Sequence, residues 1–207
     1  MKRSLFLVLL FHFCFFVQAQ KNQLQTGDLI FQKMDCGELC DAIHAVTVGY
    51  QGKDFSHLGL VLIENDSIFI IEAAGNSVRK VTLNAFSKNT KTTMFIGRVK
   101  PKYENLIPQV VSFSEQQLGI PYDDDYIYDN GKYYCSELIY DAFLQAYGKP
   151  FFNLEPMTFK KPKSNDYFPA WIAYYKSLKV EIPEGKLGCN PGGISTSKRI
   201  KIVGELN

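Results

Sequence analysis

Residues 132–143 constrain the fold more than any other segment, because they place a cysteine at the start of a strongly patterned helix. Cys135 lies four residues before Ile139 and shares its apolar face, and Gly148 follows as a stop signal. At a helix start, unpaired backbone N–H groups and the helix dipole stabilise negative charge. The sequence therefore predicts a thiol that is biased toward the thiolate, which is its nucleophilic form.

The composition is that of one globular domain of ordinary size. The chain has 207 residues, of which 46% are hydrophobic, and we expect residues 20–207 to form a single domain with a sizeable core. The formal net charge is only +2 and no long basic run is present. This near balance gives no indication of nucleic acid as a partner.

The N-terminus has the pattern of a secretory signal peptide. Lys2 and Arg3 are followed by an almost continuously apolar run over residues 5–17, and Ala19 closes a small-residue cleavage pattern. The apolar run is short for a membrane span, so a retained anchor is the less favoured alternative. We therefore expect residues 1–19 to be removed and the protein to be exported to the periplasm or the extracellular space.

Export permits disulfide bonds among the cysteines that remain. Besides Cys135, these are Cys36, Cys40 and Cys189, and any two of the three could bridge. Three unpaired thiols are an equally good interpretation. Zinc is less favoured, because neither a CxxC motif nor a histidine pair accompanies these cysteines. We predict no metal and no cofactor.

A β-hairpin argument connects a histidine to a carboxylate. Two β-rich runs, residues 56–63 and 67–73, flank Asn65-Asp66, which we interpret as a two-residue turn. In that register position 57 opposes 74, so Glu72 is the diagonal neighbour of His57 on one face, at about 7–8 Å between Cβ atoms. Gly59 would lie opposite Glu72 and leave room for its side chain. The hairpin therefore predicts contact between the imidazole and the carboxylate.

Cys135, His57 and Glu72 together have the residue types of a nucleophile, a base and the group that orients the base. Each has another interpretation: a buried structural cysteine, a structural histidine, or a carboxylate at a sheet edge. A zinc site made of the same three residues would need further ligands, which the sequence does not identify. The combination of the three favours catalysis.

Helices are also predicted outside this set. Residues 35–50, which include His44, and residues 167–178 have helical apolar spacing, with Trp171, Ile172, Tyr175 and Leu178 expected on the buried side of the second helix. The glycine-rich residues 185–193 are expected to form a loop near the pocket or a simple turn. The tail beyond Pro150 has no assigned role.

Several segments, in order between residues 27 and 147, resemble the circularly permuted NlpC-type, papain-like enzymes of the YaeF/YiiX group. In that family the histidine strand precedes the cysteine helix, as His57 precedes Cys135 here. The resemblance implies an α+β fold, a small antiparallel sheet or barrel packed against helices. The segments are GDLIFQ at 27–32, FSHLGLV at 55–61, IIEA at 70–73, GIPYD at 119–123 and YCSELIY at 134–140.

The resemblance also implies roles for individual residues. Cys135 matches the nucleophile, His57 the base and Glu72 the third polar residue. Pocket-lining positions that would contact substrate are Tyr122, Ser56 and Tyr134.

Three functions are compatible with these observations. The first is an exported cysteine amidase or peptidase that cleaves an amide bond in cell-wall peptide or a related small amide. The second is a lipid-directed thiol acyl hydrolase or acyltransferase, for which abundant Phe and Tyr would supply an acyl pocket. The third is a catalytically silent binding module of the same fold. The partners expected are a peptide or lipid-amide substrate, with contact at the cell wall or a membrane surface.

Overall fold

The computed structural model describes residues 24–206, so the predicted signal peptide lies outside the described residues. Its centre is a six-stranded antiparallel sheet in the order β4-β3-β2-β1-β5-β8, beside a two-stranded ribbon, β6-β7. The strands are β1 Leu29–Gln32, β2 His57–Glu64, β3 Ser67–Ala74, β4 Ser77–Thr82, β5 Met94–Val99, β6 Glu155–Pro156, β7 Leu187–Gly188 and β8 Ile200–Leu206.

Six α-helices accompany these strands in residues 24–206. They are α1 Glu38–Val46, α2 Leu83–Ser87, α3 Ile107–Gln116, α4 Cys135–Tyr147, α5 Pro169–Leu178 and α6 Pro191–Ser195. Two 3₁₀ segments, Tyr50–Gly52 and Pro101–Leu106, complete the regular structure of this part of the chain. No helix within residues 24–206 has the length and apolarity needed to cross a membrane. The expected α+β class, an antiparallel sheet with helices packed on it, is confirmed.

The register of the β2–β3 hairpin is the predicted one. Val61 pairs with Ile70 and Glu64 with Ser67. The two turn residues, Asn65 and Asp66, have φ angles of 47° and 62°. Positive φ at both positions is the type I′ geometry, whose twist matches that of the flanking strands. The turn therefore fixes which β2 and β3 side chains share a face.

The two faces of the sheet bury different sets of side chains. On one face, Leu58 and Leu60 of β2 pack with Leu138, Ile139 and other apolar residues of α4. Burial of this helix stripe anchors the N-terminus of α4 over the sheet. The opposite face is a smaller cluster, made of Leu24, Ile30, Val61, Ile70, Phe86, Met94, Ile96 and Leu206.

A third apolar cluster joins α1 to the C-terminal part of the chain. Ala42 of α1 packs with Phe159, Trp171 and Tyr175. In α5 the expected buried side is correct for Trp171 and Tyr175, but Ile172 is 50% exposed. Ile172 adjoins Trp171 in sequence, about 100° around the helix, so it faces away from the cluster that buries the tryptophan.

The helix predicted over residues 35–50 is shorter in the structure. It begins at Glu38, after Gly37 at φ 66°, and ends before Thr47, which is extended. A disulfide joins Cys36 to Cys40 across the start of α1, and Cys189 is a free thiol. Of the pairings that the sequence left open, the structure therefore has the local one.

Candidate active site

Cys135 is the first residue of α4, and Tyr134 is the N-cap. The helix ends at Gly148, whose φ of 73° is the left-handed geometry that favours glycine at this position. Cys135 is 7% exposed, and its Sγ lies 3.9 Å from the carbonyl oxygen of Ser56, the residue before β2. The helix thus delivers the thiol to the end of the strand where His57 begins.

His57 and Glu72 are in direct contact, as the hairpin register predicts. The Nε2–H group of His57 donates to Oε2 of Glu72 at 2.5 Å, and both residues are buried. Because Glu72 takes Nε2, Nδ1 is the ring nitrogen left for Cys135, whose side chain is close enough to help raise the pKa of the imidazole. The structure therefore brings together the thiol, the imidazole and the carboxylate.

The prediction that Gly59 leaves room for the Glu72 side chain is wrong. A Cβ atom at this position would lie 2.3 Å from Cγ2 of Ile70 and 3.0 Å from Cε2 of Phe86. Gly59 therefore makes room for core packing, not for the Glu72 side chain. Phe86 supports the site in another way, because its ring centroid lies 5.6 Å from that of His57.

The electrostatics of the site favour an imidazolium and a carboxylate. Burial disfavours the charged form of His57, but hydrogen bonds and charge interactions with Cys135 and Glu72 outweigh it and raise its pKa to about 9. Burial also opposes ionisation of Glu72, yet His57 and Arg79 hold its pKa below the usual value. The imidazole accordingly holds its proton at neutral pH, the state that pairs with a thiolate.

Arg79 is the part of this arrangement that the sequence reasoning missed. Its Nε donates to Oε1 of Glu72 at 2.9 Å, and its Nη2 lies 2.7 Å from the same oxygen. The signal was present in the next hairpin. Gly75-Asn76 separates β3 from β4, Ala74 pairs with Ser77, and the same register arithmetic places Arg79 directly opposite Glu72.

A cavity of about 140 Å³ opens beside Cys135. Ser56, Tyr122 and Tyr134, the three expected substrate-contacting residues, all line it together with Cys135. Neither His57 nor Glu72 is among its lining residues, so they lie behind the thiol and out of the cavity. The nucleophile therefore faces the cavity while its partners are shielded.

The far wall of the cavity comes from the C-terminal part of the chain. Met157, Phe159, Trp171 and the segment Gly188 to Pro191 supply it, and Ile43 and Val46 of α1 complete it. Residues 185–193 are thus near the pocket, which was one of the two expectations for that loop. Among the described lining residues, Glu155 is the one charged side chain.

Two hydrogen bonds attach this wall to the cysteine helix. The hydroxyl of Tyr134 accepts from the backbone N–H of Cys189 at 3.1 Å, and the hydroxyl of Ser136 donates to the carbonyl of Cys189 at 2.9 Å. The Tyr134 side chain therefore lines the cavity, and its hydroxyl group already has a hydrogen-bond partner within the protein. Ser56 is similar, because its Oγ accepts from the backbone N–H of Met34. The hydroxyl of Tyr122 has its described partner in Tyr126, at 3.4 Å.

A second buried carboxyl group, Glu137, lies in α4, the helix that begins at Cys135. Its environment has the opposite effect on its pKa to that of Glu72. Glu137 accepts from the backbone N–H of Asp129 and, more weakly, from that of Tyr134. Burial, with nearby acidic groups adding to it, raises its pKa to about 8. Its hydrogen bonds join the loop before α4 to the helix start, which gives it a structural role at the cysteine.

Among residues 24–206, no three His, Cys, Asp or Glu side chains are grouped in a way that could hold a metal ion. The zinc alternative for Cys135, His57 and Glu72 also conflicts with the geometry. Oε2 of Glu72 is taken by Nε2 of His57 and Oε1 by Arg79, so the carboxylate is not free to join the thiol around one ion.

Comparisons with known proteins agree with this architecture. Residues 23–204 match the model of a family of permuted papain-like amidase enzymes, YaeF/YiiX, C92. The uncharacterized protein YiiX of Escherichia coli K12 is 27% identical over 137 residues, which is 64% of this chain and 63% of that protein. The aligned region thus spans less than two thirds of that relative.

A solved structure supports the fold. The crystal structure of yiiX from Escherichia coli O157:H7, described as a metalloprotein, superposes with a TM-score of 0.74 at 22% identity. The superposition covers 89% of this chain and 98% of that one. With the family match over nearly its whole described length, this chain belongs to the permuted papain-like amidases of the YaeF/YiiX family.

Proposed function

We propose that this protein is an exported cysteine amidase or peptidase that cleaves an amide bond through an acyl-enzyme at Cys135. The observation that carries the proposal is the buried 2.5 Å contact between Nε2 of His57 and Oε2 of Glu72, immediately behind a cysteine that faces a cavity. This is the spatial order of nucleophile, base and orienting group that thiol hydrolases use.

In the first half of the proposed reaction, the Cys135 thiolate attacks the carbonyl carbon of the amide. The negative charge on the carbonyl oxygen is held partly by the backbone N–H of Cys135, at the start of α4 where N–H groups have no partner within the helix. The imidazolium of His57 then gives its proton to the leaving amine. The C–N bond breaks, and a thioester remains on Cys135.

In the second half, neutral His57 takes a proton from water, and the hydroxide attacks the thioester. Collapse of the second tetrahedral intermediate breaks the C–S bond and returns the thiolate and the imidazolium. Glu72 remains ionised throughout and keeps Nε2–H directed toward itself, so Nδ1 always faces the sulfur. The role of the carboxylate is therefore orientation and stabilisation of the imidazolium.

Export is part of the proposal, and the disulfide supports it. The bridge between Cys36 and Cys40 is the kind of bond that persists in an oxidising compartment and is rare in the cytosol. Together with the N-terminal sequence pattern, it favours a periplasmic or extracellular location. Contact with the cell wall or a membrane surface would follow from that location.

A metal has no step in this proposal. The structural neighbour is described as a metalloprotein, but the donors of this chain do not fit a metal centre at Cys135. Glu72 directs one oxygen at His57 and the other at Arg79, so neither oxygen is directed at the thiol.

The cavity favours a second candidate substrate class, an apolar acyl group in place of a wall peptide. Cell-wall peptides carry free carboxylates, which need cationic partners in a binding site. The described lining of the cavity has one charged side chain, the acidic Glu155, and is otherwise mostly aromatic and aliphatic. An uncharged acyl chain gains more than a carboxylate from such a lining. A lipid-directed acyl hydrolase or acyltransferase would use the same thioester.

The proposal is tested by trapping the acyl-enzyme. The protein is incubated separately with a disaccharide tripeptide from cell wall and with a long-chain fatty acyl amide, and intact mass and peptide mapping are recorded. We expect an acyl adduct on Cys135 that is absent from Cys135→Ala. Adduct formation with the acyl amide alone would select the second candidate. Hydrolysis of either compound by Cys135→Ala would contradict both candidates.

A further inference from the structure

We propose that Arg79 is a positioning residue of this site, which holds the Glu72 carboxylate with one oxygen directed at His57 and keeps it ionised. The inference rests on the proposed function, because it concerns the same thiol, imidazole and carboxylate. It goes beyond that function by adding a fourth residue, which acts on Cys135 only through the other two.

The Glu72 carboxylate is divided between two partners. Oε1 receives Nε of Arg79 at 2.9 Å and Nη2 at 2.7 Å, whereas Oε2 receives Nε2 of His57 at 2.5 Å. The terminal torsion of a glutamate is broad, so a single hydrogen bond to His57 would leave the carboxylate free to rotate. Two donors of a planar guanidinium on the other oxygen remove that freedom.

The buried negative charge of Glu72 also requires cationic partners. Glu72 is 1% exposed, and a buried carboxylate is costly unless it is paired with cations and hydrogen-bonded. The groups that act on Glu72 are His57 from β2 and Arg79 from β4, and both lower its pKa. The groups that act on His57 are Cys135 from α4 and Glu72 from β3. Phe86 of α2 adds an uncharged ring. Arg79 is thus the permanent cation of the set.

The β3–β4 hairpin places the guanidinium of Arg79 beside Glu72. Arg79 is the direct cross-strand partner of Glu72, so both side chains leave the sheet on the same face. The intervening turn has Gly75 at φ 66°, and a Cβ atom there would lie 3.3 Å from Nη1 of Arg79. The turn glycine therefore leaves space for the guanidinium beside the carboxylate. The Arg79 side chain is 43% exposed, so it covers the buried pair on its solvent side.

The experiment measures alkylation of Cys135 by iodoacetate, an anionic reagent, as a function of pH, with the site of modification identified by peptide mapping. No substrate is needed. In the wild type we expect a reactive plateau between an acid limb, where the thiol is protonated, and an alkaline limb, where the imidazolium that attracts the anionic reagent loses its proton. The reagent thereby reports on the site itself.

In Arg79→Gln we expect the acid limb to move to higher pH by about one unit, and the rate on that limb to fall about tenfold. Without the guanidinium, Glu72 takes up a proton at higher pH and no longer stabilises the imidazolium. The alkaline limb is not expected to move to lower pH, because removing a positive charge does not disfavour the imidazolium. Arg79→Met should behave like Arg79→Gln, and Arg79→Lys should return the acid limb toward its wild-type position.

Arg98→Gln is the matched control. Arg98 makes the same kind of pair with buried Asp28, at 2.7 Å from Nε to Oδ1, next to the end of β1 that is remote from His57. Its replacement should lower the thermal midpoint without moving either limb. If Arg79→Gln is unfolded on the acid limb, the comparison of Arg79→Met with Arg79→Lys decides instead.

The failures of the two proposals are distinguishable. A wild-type Cys135 that is unreactive at neutral pH would overturn the proposed function, and the role of Arg79 with it. A reactive wild type with both limbs in the same place in Arg79→Gln and Arg79→Met would overturn the role of Arg79 alone. A lowered rate with unmoved limbs would mean that Arg79 only stabilises the fold, which also overturns the proposal.

Discussion

The region that carries the candidate chemistry and the region that closes the cavity differ in construction. Residues 24–148, called here the sheet region, supply His57, Glu72 and Arg79 from strands whose register fixes their contacts, and Cys135 from the start of α4. Residues 149–199, called here the wall segment, supply much of the cavity lining from loops, short strands and α5. The proposed bond-making groups therefore come from the sheet region alone, whereas the residues that would select a substrate come from both regions, about half of them from the less regular wall segment.

The two regions also differ in charge. The sheet region contains ten Lys and Arg against sixteen Asp and Glu, whereas the wall segment contains nine against four. The small net charge of the whole chain, +2, conceals the opposite net charges of the two regions. Because almost none of the charge of either region faces the cavity, charge is expected to act on long-range approach and the cavity on selection. The predictions below separate the two regions.

The largest effect is expected for His57, the proposed base, which lies in the sheet region. His57→Ala should lower the rate of Cys135 acylation by about 10³-fold, because it removes the proton acceptor and donor for both halves of the reaction. His44→Ala is the matched control, since His44 is the other histidine of the described chain and does not line the cavity. Acylation is followed by intact mass. Equal losses in the two variants would remove His57 from the mechanism.

A smaller effect is expected for Glu72→Gln, about 10²-fold in acylation rate, because the amide keeps the shape but loses the charge. The alkaline limb of the pH profile for Cys135 alkylation shows the direction of the effect on the pKa of His57. Glu72 helps to raise the pKa of His57 to about 9. Without the charge of Glu72, the imidazolium should lose its proton at lower pH. The alkaline fall in Cys135 alkylation should therefore also move to lower pH. Glu115→Gln, at a half-buried carboxylate on α3, should leave the limb unchanged. A limb that stays at wild-type pH in Glu72→Gln would contradict the triad.

Period-two alternation explains why the sheet region could be predicted from sequence. A two-residue turn fixes the register, and the register fixes the diagonal contact of His57 with Glu72. Arg79 was predictable by the same arithmetic but required the second hairpin to be included. Gly59 was misinterpreted because the alternation pattern shows on which face of the sheet a residue lies. It does not show which neighbouring side chain fills the space over a glycine. That space belongs to Ile70 and Phe86.

The wall segment could not be predicted in the same way, because its contacts are not periodic. β6 and β7 are two residues each, too short for an alternation signal. In α5 the helical spacing correctly gave Trp171 and Tyr175 but wrongly included Ile172. The hydrogen bond from the N–H of Cys189 to Tyr134 joins residues separated by 55 positions, and no local pattern indicates it. Tertiary packing alone determines this part of the site.

The cavity test uses neighbouring valines. Val46 lines the cavity, whereas Val48 is 74% exposed and does not. Val46→Lys should lower the kcat/KM for a fatty acyl amide by about tenfold, because a cation disfavours an apolar chain in the pocket. Val48→Lys should leave it unchanged, and neither variant should move the limbs of Cys135 alkylation. If Val46→Lys leaves acyl-amide turnover intact, the acyl chain does not occupy this cavity.

The smallest effect is expected at the boundary between the regions. The Cys36–Cys40 disulfide lies in the sheet region by sequence, but it constrains the start of α1, which packs on the wall segment through Ala42 and lines the cavity through Ile43 and Val46. The bridge closes a loop with a sequence separation of 4. Chain entropy for such a loop predicts a loss of about 2 kcal/mol in the free energy of unfolding for Cys36→Ser/Cys40→Ser, measured by urea denaturation. KM for the acyl amide should rise, while the pH limbs of Cys135 alkylation should stay in place. Limbs that shift together with KM would mean that α1 supports the thiol itself, and the division between chemistry and selection would then fail where the two regions meet.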